Sequence, residues 1–236
     1  MISEKQIYDE MRAAALLAME NHKRLGLEYH NSEHITHAML THERLYADSS
    51  PSGMAQKLAL MYHDVVYVPG CTTNEELSAK FFKWQLKRVV GCSTYDHLWT
   101  KFLDENATIE PQDNADLLWC CMFVPVWIQS TTVTHHLSAG AYSKSIDRIL
   151  DCDLAALAKP YPAFKSQQFA LSAESLPGAS QEERLNDLKK QADFLWAFLS
   201  KEPIFRTPEA HESLEKQARE NITLYFEEIQ HGHQEG

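Results

Sequence analysis

Apolar side chains recur along most of this chain at intervals of three and four residues, the spacing that gathers them on one face of an α-helix. Over residues 4–24 the face is Ile7, Met11, Ala14, Ala15 and Ala18, and over 32–47 it is Ile35, Ala38, Met39 and Leu45. A turn-rich break from Asp48 to Gly53 interrupts the pattern, and a helix carrying Leu58, Met61, His63 and Asp64 follows. VPGCTTN (68–74) reads as a loop, with Thr73 or Asn74 placed to cap a helix that opens on Glu75 and Glu76 and runs to about Val90. Further helices are expected over 95–106, over 113–136 with a bend or break at Pro125, and over 142–158 ahead of Pro160. After the loop LPGAS (176–180), two more are expected over 181–201 and 208–230. VVYV (65–68) is the best strand-like run, yet it reads better as the end of the preceding helix. With 8 glycines, no internal repeat and no low-complexity linker, the pattern predicts a single all-α domain over 1–236 with a C-terminal helical extension.

A hydrophobic content of 44% in 236 residues is ample for a sizeable core. The formal net charge is −11 and no dense Lys/Arg run is present. That opposes a nucleic-acid polymer as partner, because a phosphate backbone asks for a positive footprint. Small anionic substrates stay open, since a metal ion can reverse the field within one pocket. The cysteines (71, 92, 120, 121 and 152) are odd in number and form no CxxC pair, which suits reduced thiols in the cytoplasm. MISEKQIYDEM alternates charged and apolar residues, unlike a signal peptide, and Leu117 to Ile128 is too short to cross a bilayer. The expectation is a soluble cytoplasmic protein with no membrane partner.

Four places set imidazole or carboxylate among apolar neighbours: YHNSEH (29–34), HD (63–64), THH (134–136) and DCD (151–153). Each alone has a structural reading. Asn31 or Ser32 can cap a helix, His63 and Asp64 can form a satisfied buried pair, His135 and His136 can end a helix, and Asp151 or Asp153 can lie on a solvated face. Together they point elsewhere, because an unpaired buried carboxylate is very costly and a divalent cation is one of the few partners that makes it tolerable. Two imidazoles and two carboxylates make a mixed nitrogen and oxygen site for Mn, Fe, Co, Ni or Zn, with Mg also admissible and calcium less suited. Adjacent residues on a helix project about 100° apart, enough for His63 and Asp64 to reach one ion, and the remaining ligands then come from neighbouring helices.

The order H…HD…D, met here by His34, His63–Asp64 and Asp153, resembles the signature of the HD-domain metal-dependent phosphohydrolases. The likeness is closer to one branch of predicted HD phosphohydrolases, whose members show YHNxxHI, HDxVY, NExxSA, DxDLxxL and a C-terminal ARxNL-type helix. This chain has YHNSEHI (29–35), HDVVY (63–67), NEELSA (74–79), DCDLAAL (151–157) and ARENI (218–222), so the likeness spans roughly 28–225. It implies an HD-type helical bundle with a metal core at about 28–160 and C-terminal helices at about 180–230. His34, His63, Asp64 and Asp153 are then the ligands of one ion, and Asp151 orients a ligand from behind. His30, next to Asn31, is expected to face the pocket and touch the leaving phosphate.

The same resemblance leaves two roles open for Glu75: it positions or deprotonates the attacking water, or it holds the HD loop. TVTH (132–135) resembles a TKxH segment, which makes His135 a substrate or second-metal group, although Val133 stands where a lysine is expected. Beyond the last ligand, relatives carry an arginine followed by a Glu-Tyr pair, whereas YPAFKSQQFA (161–170) offers only the charge of Lys165 to a phosphate. The implied activity is metal-assisted hydrolysis of a small phosphomonoester or nucleotide, by a monomer or homo-oligomer. Two alternatives remain: a di-iron HD-type oxygenase drawing on His97 and His135, and an HD module that binds a nucleotide or partner without turnover. His22, His37, His42, His97, His211 and the tryptophans otherwise read as surface or core residues.

Overall fold

A computed structural model describes residues 2–104, 110–112, 115–138, 140 and 142–231, and all regular structure among them is helical. The helices in chain order are α1 (Glu4–Arg24), α2 (Ser32–Tyr46), α3 (Pro51–Tyr62), α4 (Asn74–Val90), α5 (Cys92–Asp104), α6 (Leu117–Cys120), α7 (Val124–Gln129), α8 (Val133–Leu137), α9 (Lys144–Leu154), α10 (Tyr161–Ser175), α11 (Gln181–Leu199) and α12 (Pro208–His231), with a 3₁₀ turn at Ala155–Ala158. The chain is therefore all-α. None of these helices is long and apolar enough to cross a membrane.

Local chemistry sets the starts. Ser3 and Gln6 form a reciprocal capping box at α1, and Ser180 and Glu183 repeat it at α11. Asn31 Oδ1 takes the Glu33 N–H at 2.8 Å to open α2. Ser50 caps α3, whose first residue is Pro51, where a missing N–H costs nothing. Gly53 lies against Asp48: a Cβ there would sit 2.5 Å from the Asp48 carbonyl oxygen, so the close approach requires glycine.

Leu58, Ala59, Leu60, Met61 and Tyr62 are consecutive and all fully buried. A helix buried around its whole circumference needs neighbours on every side, and α1, α2, α4, α6, α7 and α9 supply them. Helix α3 is thus the axis of the first hydrophobic cluster, which includes Met11, Phe82 and Trp127. A second cluster is built by the 3₁₀ turn with α10, α11 and α12 around Phe164, Phe198, Phe205, Ile222 and Tyr225. Helix α2 and the 3₁₀ turn touch both.

Several elements differ from the pattern-based expectation. The described part of 113–136 is three short helices, α6 to α8. Pro125 lacks an N–H, and the residues before it close into tight turns, Met122 N–H to Trp119 O at 3.0 Å and Phe123 N–H to Cys120 O at 3.1 Å. After α7, the hydroxyls of Ser130 and Thr131 donate to the Val126 and Ile128 carbonyls at 3.0 and 2.8 Å, competing with helix continuation. Thr132 is extended and opens α8. Helix α5 begins at Cys92, and residues 105 and 106 lie outside the described residues. Helix α10 is absent from the pattern-based expectation, because the positions it buries include Gln168, Ser172 and Glu174 beside Phe164, so apolar spacing does not reveal it.

The doublet is not on a helix. Helix α3 ends at Tyr62, and His63 to Val66 form a turn rather than a helix end. Ser78 Oγ takes the Val66 N–H at 3.0 Å and donates to the Val66 carbonyl at 3.2 Å. Asn74 engages both backbone groups of Val68, at 3.0 and 3.1 Å. These side chains of α4 satisfy backbone groups that would otherwise need a helix to pair them.

Candidate metal centre

His63 is the C-cap of α3, and its Nδ1–H donates to Leu60 O at 2.8 Å, one of the carbonyls that the helix end leaves open. In the neutral ring this leaves Nε2 as a lone pair. That nitrogen faces His34 Nε2 at 3.2 Å, Asp64 Oδ2 at 2.9 Å and Asp153 Oδ1 at 3.2 Å. His34 stands in the first turn of α2, with Nε2 3.2 Å from Asp153 Oδ1 and 3.5 Å from Asp64 Oδ2. The ligating atoms of His34, His63 and Asp153 all lie within 4.8 Å of one another, and Asp64 joins them through Oδ2.

Burial opposes a charge on either imidazole, yet the Asp64 and Asp153 carboxylates beside them raise both His34 and His63 above the ordinary histidine value. Burial likewise pushes Asp64 and Asp153 up, and the facing imidazoles, His63 foremost, hold both carboxyls well below the usual range. Without a cation the two carboxylates are balanced by protons on buried rings. A divalent ion at the same point would balance them with the rings neutral. The donor set of two imidazole nitrogens and two carboxylate oxygens fits a first-row transition metal.

Around this core the structure brings in further residues, Glu174 and His22 among them with no role expected from the motifs. His136 Nε2 lies 2.9 Å from Asp153 Oδ2, so the two oxygens of Asp153 face different imidazoles. His30 Nδ1 meets Glu174 Oε2 at 2.6 Å, and Glu174 also accepts the backbone N–H of Tyr29 and, at 3.0 Å, that of His30. The His30 ring stacks on Tyr67 with centroids 3.5 Å apart. Burial raises the Glu174 carboxyl, but the His30 contact and the two N–H donors bring it below its ordinary value. His22 is buried and places Nδ1 2.8 Å from His30 O and Nε2 3.1 Å from Val65 O. It ties the YHN loop to the HD turn.

A cavity of about 380 Å³ opens on this cluster; His30, His34, His63, Asp64, Tyr67, Glu75, His136 and Asp153 are among its lining residues. Glu75 therefore stands at the wall, while its neighbours Asn74 and Ser78 hold the HD turn. Asn31 is not at the wall: its side chain caps α2 and donates to the Leu27 and Glu28 carbonyls at 3.4 and 2.7 Å. His135 is also elsewhere, with Nδ1 2.7 Å from Thr132 Oγ1 and its ring beside Tyr142. The break at Thr131 and Thr132 resets the helical phase, so His136 turns to the cavity in its place. Lys165 pairs with Glu228 and does not line the cavity. Asp151 contacts no ligand; it accepts the N–H groups of Arg206 and Thr207. His97 is exposed on α5.

A wider groove of about 690 Å³ at the start of α12 is lined by Arg206, Glu215 and Arg219, among others, but those charges are already engaged. Glu215 accepts from Ile204, Phe205 and Arg219, and Arg206 donates to the His135 and Ser138 carbonyls. The unsatisfied chemistry is at the imidazole–carboxylate cluster. Compared with models of known protein families, with curated proteins and with solved structures, the chain matches none.

Proposed function

We propose that the chain is a metal-dependent phosphohydrolase of the HD type acting on a small phosphorylated molecule. The observation that carries this reading is the crowding of acceptors at His63. With Nδ1 donating to Leu60, the Nε2 of a neutral His63 is an acceptor, yet it meets the carboxylate oxygens Asp64 Oδ2 and Asp153 Oδ1 at 2.9 and 3.2 Å, with His34 Nε2 at 3.2 Å beside them. One cation satisfies all four atoms together, whereas buried charges without such a partner are very costly. His34, His63, Asp64 and Asp153 would hold one divalent ion (Mn, Fe, Co, Ni or Zn, with Mg admissible), and His136 would steady Asp153 through its other oxygen. Such an ion supplies Lewis acidity towards a water and a phosphoryl oxygen.

The remaining chemistry falls to side chains at the cavity wall. Glu75 orients the attacking water and accepts its proton. Glu174 binds His30 at Nδ1, which leaves Nε2 as the nitrogen free to act. As the P–O bond breaks, His30 Nε2 is the nitrogen placed to give a proton to the leaving oxygen, with Glu174 holding the ring at Nδ1. Tyr67, stacked on the ring, limits its rotation.

Metal analysis of the purified chain, with a panel of phosphomonoesters and nucleotides under several divalent metals, tests this. His63→Ala and Asp64→Ala are expected to lose both bound metal and hydrolysis; stoichiometric metal in either variant would overturn the ligand set. Two irons per chain would instead favour oxygenase chemistry, for which His136 at Asp153 Oδ2 is the supporting contact. A filled site that turns over no phosphate ester would leave a binding module.

A further inference from the structure

The cavity draws its polar and apolar walls from different parts of the chain. The candidate ligands, His30, Tyr67 and Glu75 come from residues 29–75 and 131–153. Residues 154–198 contribute Leu154, Leu157, Leu171, Phe194, Leu195 and Phe198, and no polar side chain. Phe194, Leu195 and Phe198 share one side of α11 at i, i+1 and i+4. Phe194 is 41% exposed although it borders the cavity, so apolar surface is left open next to the imidazole–carboxylate cluster. Such a surface is stabilised by covering it with apolar ligand atoms.

Charge restricts the other end. Among the described residues no lysine or arginine lines the cavity, while Asp64, Glu75 and Asp153 do. One divalent ion offsets the charge of two carboxylates, so a single phosphate is accommodated only through that ion. A second phosphate would lie near Glu75 with no cation to meet it. The volume of about 380 Å³ is also at the lower end of the range for ligand cavities. A ribose and base would find no hydrogen-bonding side chain on the 154–198 wall.

We infer that the substrate is the monophosphate ester of an uncharged apolar alcohol, aromatic or branched-alkyl, and not a nucleoside di- or triphosphate. This rests on the phosphohydrolase reading above and sharpens it. In ordinary terms, the metal end takes the phosphate and the α10–α11 wall takes the hydrocarbon.

Calorimetric binding of phosphonates to the full chain loaded with one equivalent of Mn(II) tests the inference without turnover. Phenylphosphonate is expected to bind at least about tenfold tighter than methylphosphonate, which has the same head group. It should also bind tighter than AMP, and ADP should bind no better than AMP. Phe194→Ser and Leu171→Ser, both at partly exposed positions, should bring the phenyl-to-methyl ratio towards one, with Mn(II) stoichiometry as the control for folding. Equal affinity for phenyl- and methylphosphonate, or tighter binding of ADP than AMP, would overturn the apolar-monoester inference and leave the phosphohydrolase reading standing. Failure of the Mn(II)-loaded protein to bind any phosphonate or inorganic phosphate would overturn both.

Discussion

Asp151 and Asp153 stand two residues apart in the last turn of α9, both largely removed from water, and their surroundings are opposite in kind. Asp151 is met by donors: the Arg206 N–H at 2.7 Å, the Thr207 N–H at 2.8 Å and the Thr207 hydroxyl at 2.7 Å. Thr207 Oγ1 in turn accepts the Ala210 N–H at 3.3 Å, so this carboxylate anchors the start of α12. Asp153 is met by ring nitrogens of His34, His63 and His136, and of these His63 Nε2, its Nδ1–H given to Leu60, is compatible with the carboxylate only through an added proton or a cation. Burial of a carboxylate therefore does not by itself mark a metal site. The hydrogen-bonding character of its neighbours does, because a ring of donors already completes the coordination that an acceptor such as His63 Nε2, held beside two carboxylates, leaves to an ion.

The widest separation between the two sides should come from paired truncations. Asp153→Ala is expected to lower metal affinity more than about 100-fold, beyond the usual loss for a residue merely supporting a ligand, as read by equilibrium dialysis. Asp151→Ala should retain stoichiometric metal when folded but lose about 3 kcal/mol of unfolding free energy in urea, since several bonds to a charged buried group go together. Loss of metal in Asp151→Ala would mean that the two sides of α9 are one unit.

A pH series sharpens the contrast. Burial pushes the Asp151 carboxyl up to about 6 from an ordinary 3.8, with the Arg206 and Thr207 donors pulling the other way. The folded state thus binds this proton more tightly than the unfolded state. Its contribution is complete below about pH 4 and is lost as pH rises through about 6, a change of at most about 3 kcal/mol. Asp151→Asn removes the titrating group, so the stability difference between it and the native chain should drift across that window and level above it. A difference flat from pH 4 to 7 would show that the donors, not burial, govern the carboxyl.

The smallest effect is expected at the far side of α10. Lys165 pairs with Glu228 near the surface, so Lys165→Ala should cost under about 0.5 kcal/mol. Phosphate binding by the metal-loaded protein should be unaffected, and a clear loss would return Lys165 to the site.

What was legible in the sequence follows from short-range rules. The helices at the N-terminus and beyond residue 180 could be traced because apolar spacing and the breaks that bound it are local. His34, His63, Asp64 and Asp153 stood out because a titratable group inside an apolar run is conspicuous wherever the chain goes, and the structure brings these four together. Glu174 and His22 did not stand out, and within THH the resemblance pointed to His135 rather than His136. Glu174 reaches Tyr29 across 145 residues, a distance over which no pattern operates. His22 looked like any polar residue at a helix end until two distant carbonyls closed on it. The polar residues buried by α10 also hid a whole helix from the apolar period.

By itself, then, the sequence determined the helical class, the approximate bounds of most of the longer helices, and which polar groups would have to be accommodated among apolar neighbours. Only the tertiary structure decided which groups meet them. It set Asp151 against α12 and Asp153 against the imidazoles, and chose His136 over His135. The physical reason is that hydrogen bonding within a helix is local, while the phase and approach of one helix on another depend on side chains far apart in the chain. A single-residue shift at Thr131 and Thr132 turns a histidine through about 100°, enough to move it from the cavity to its outside.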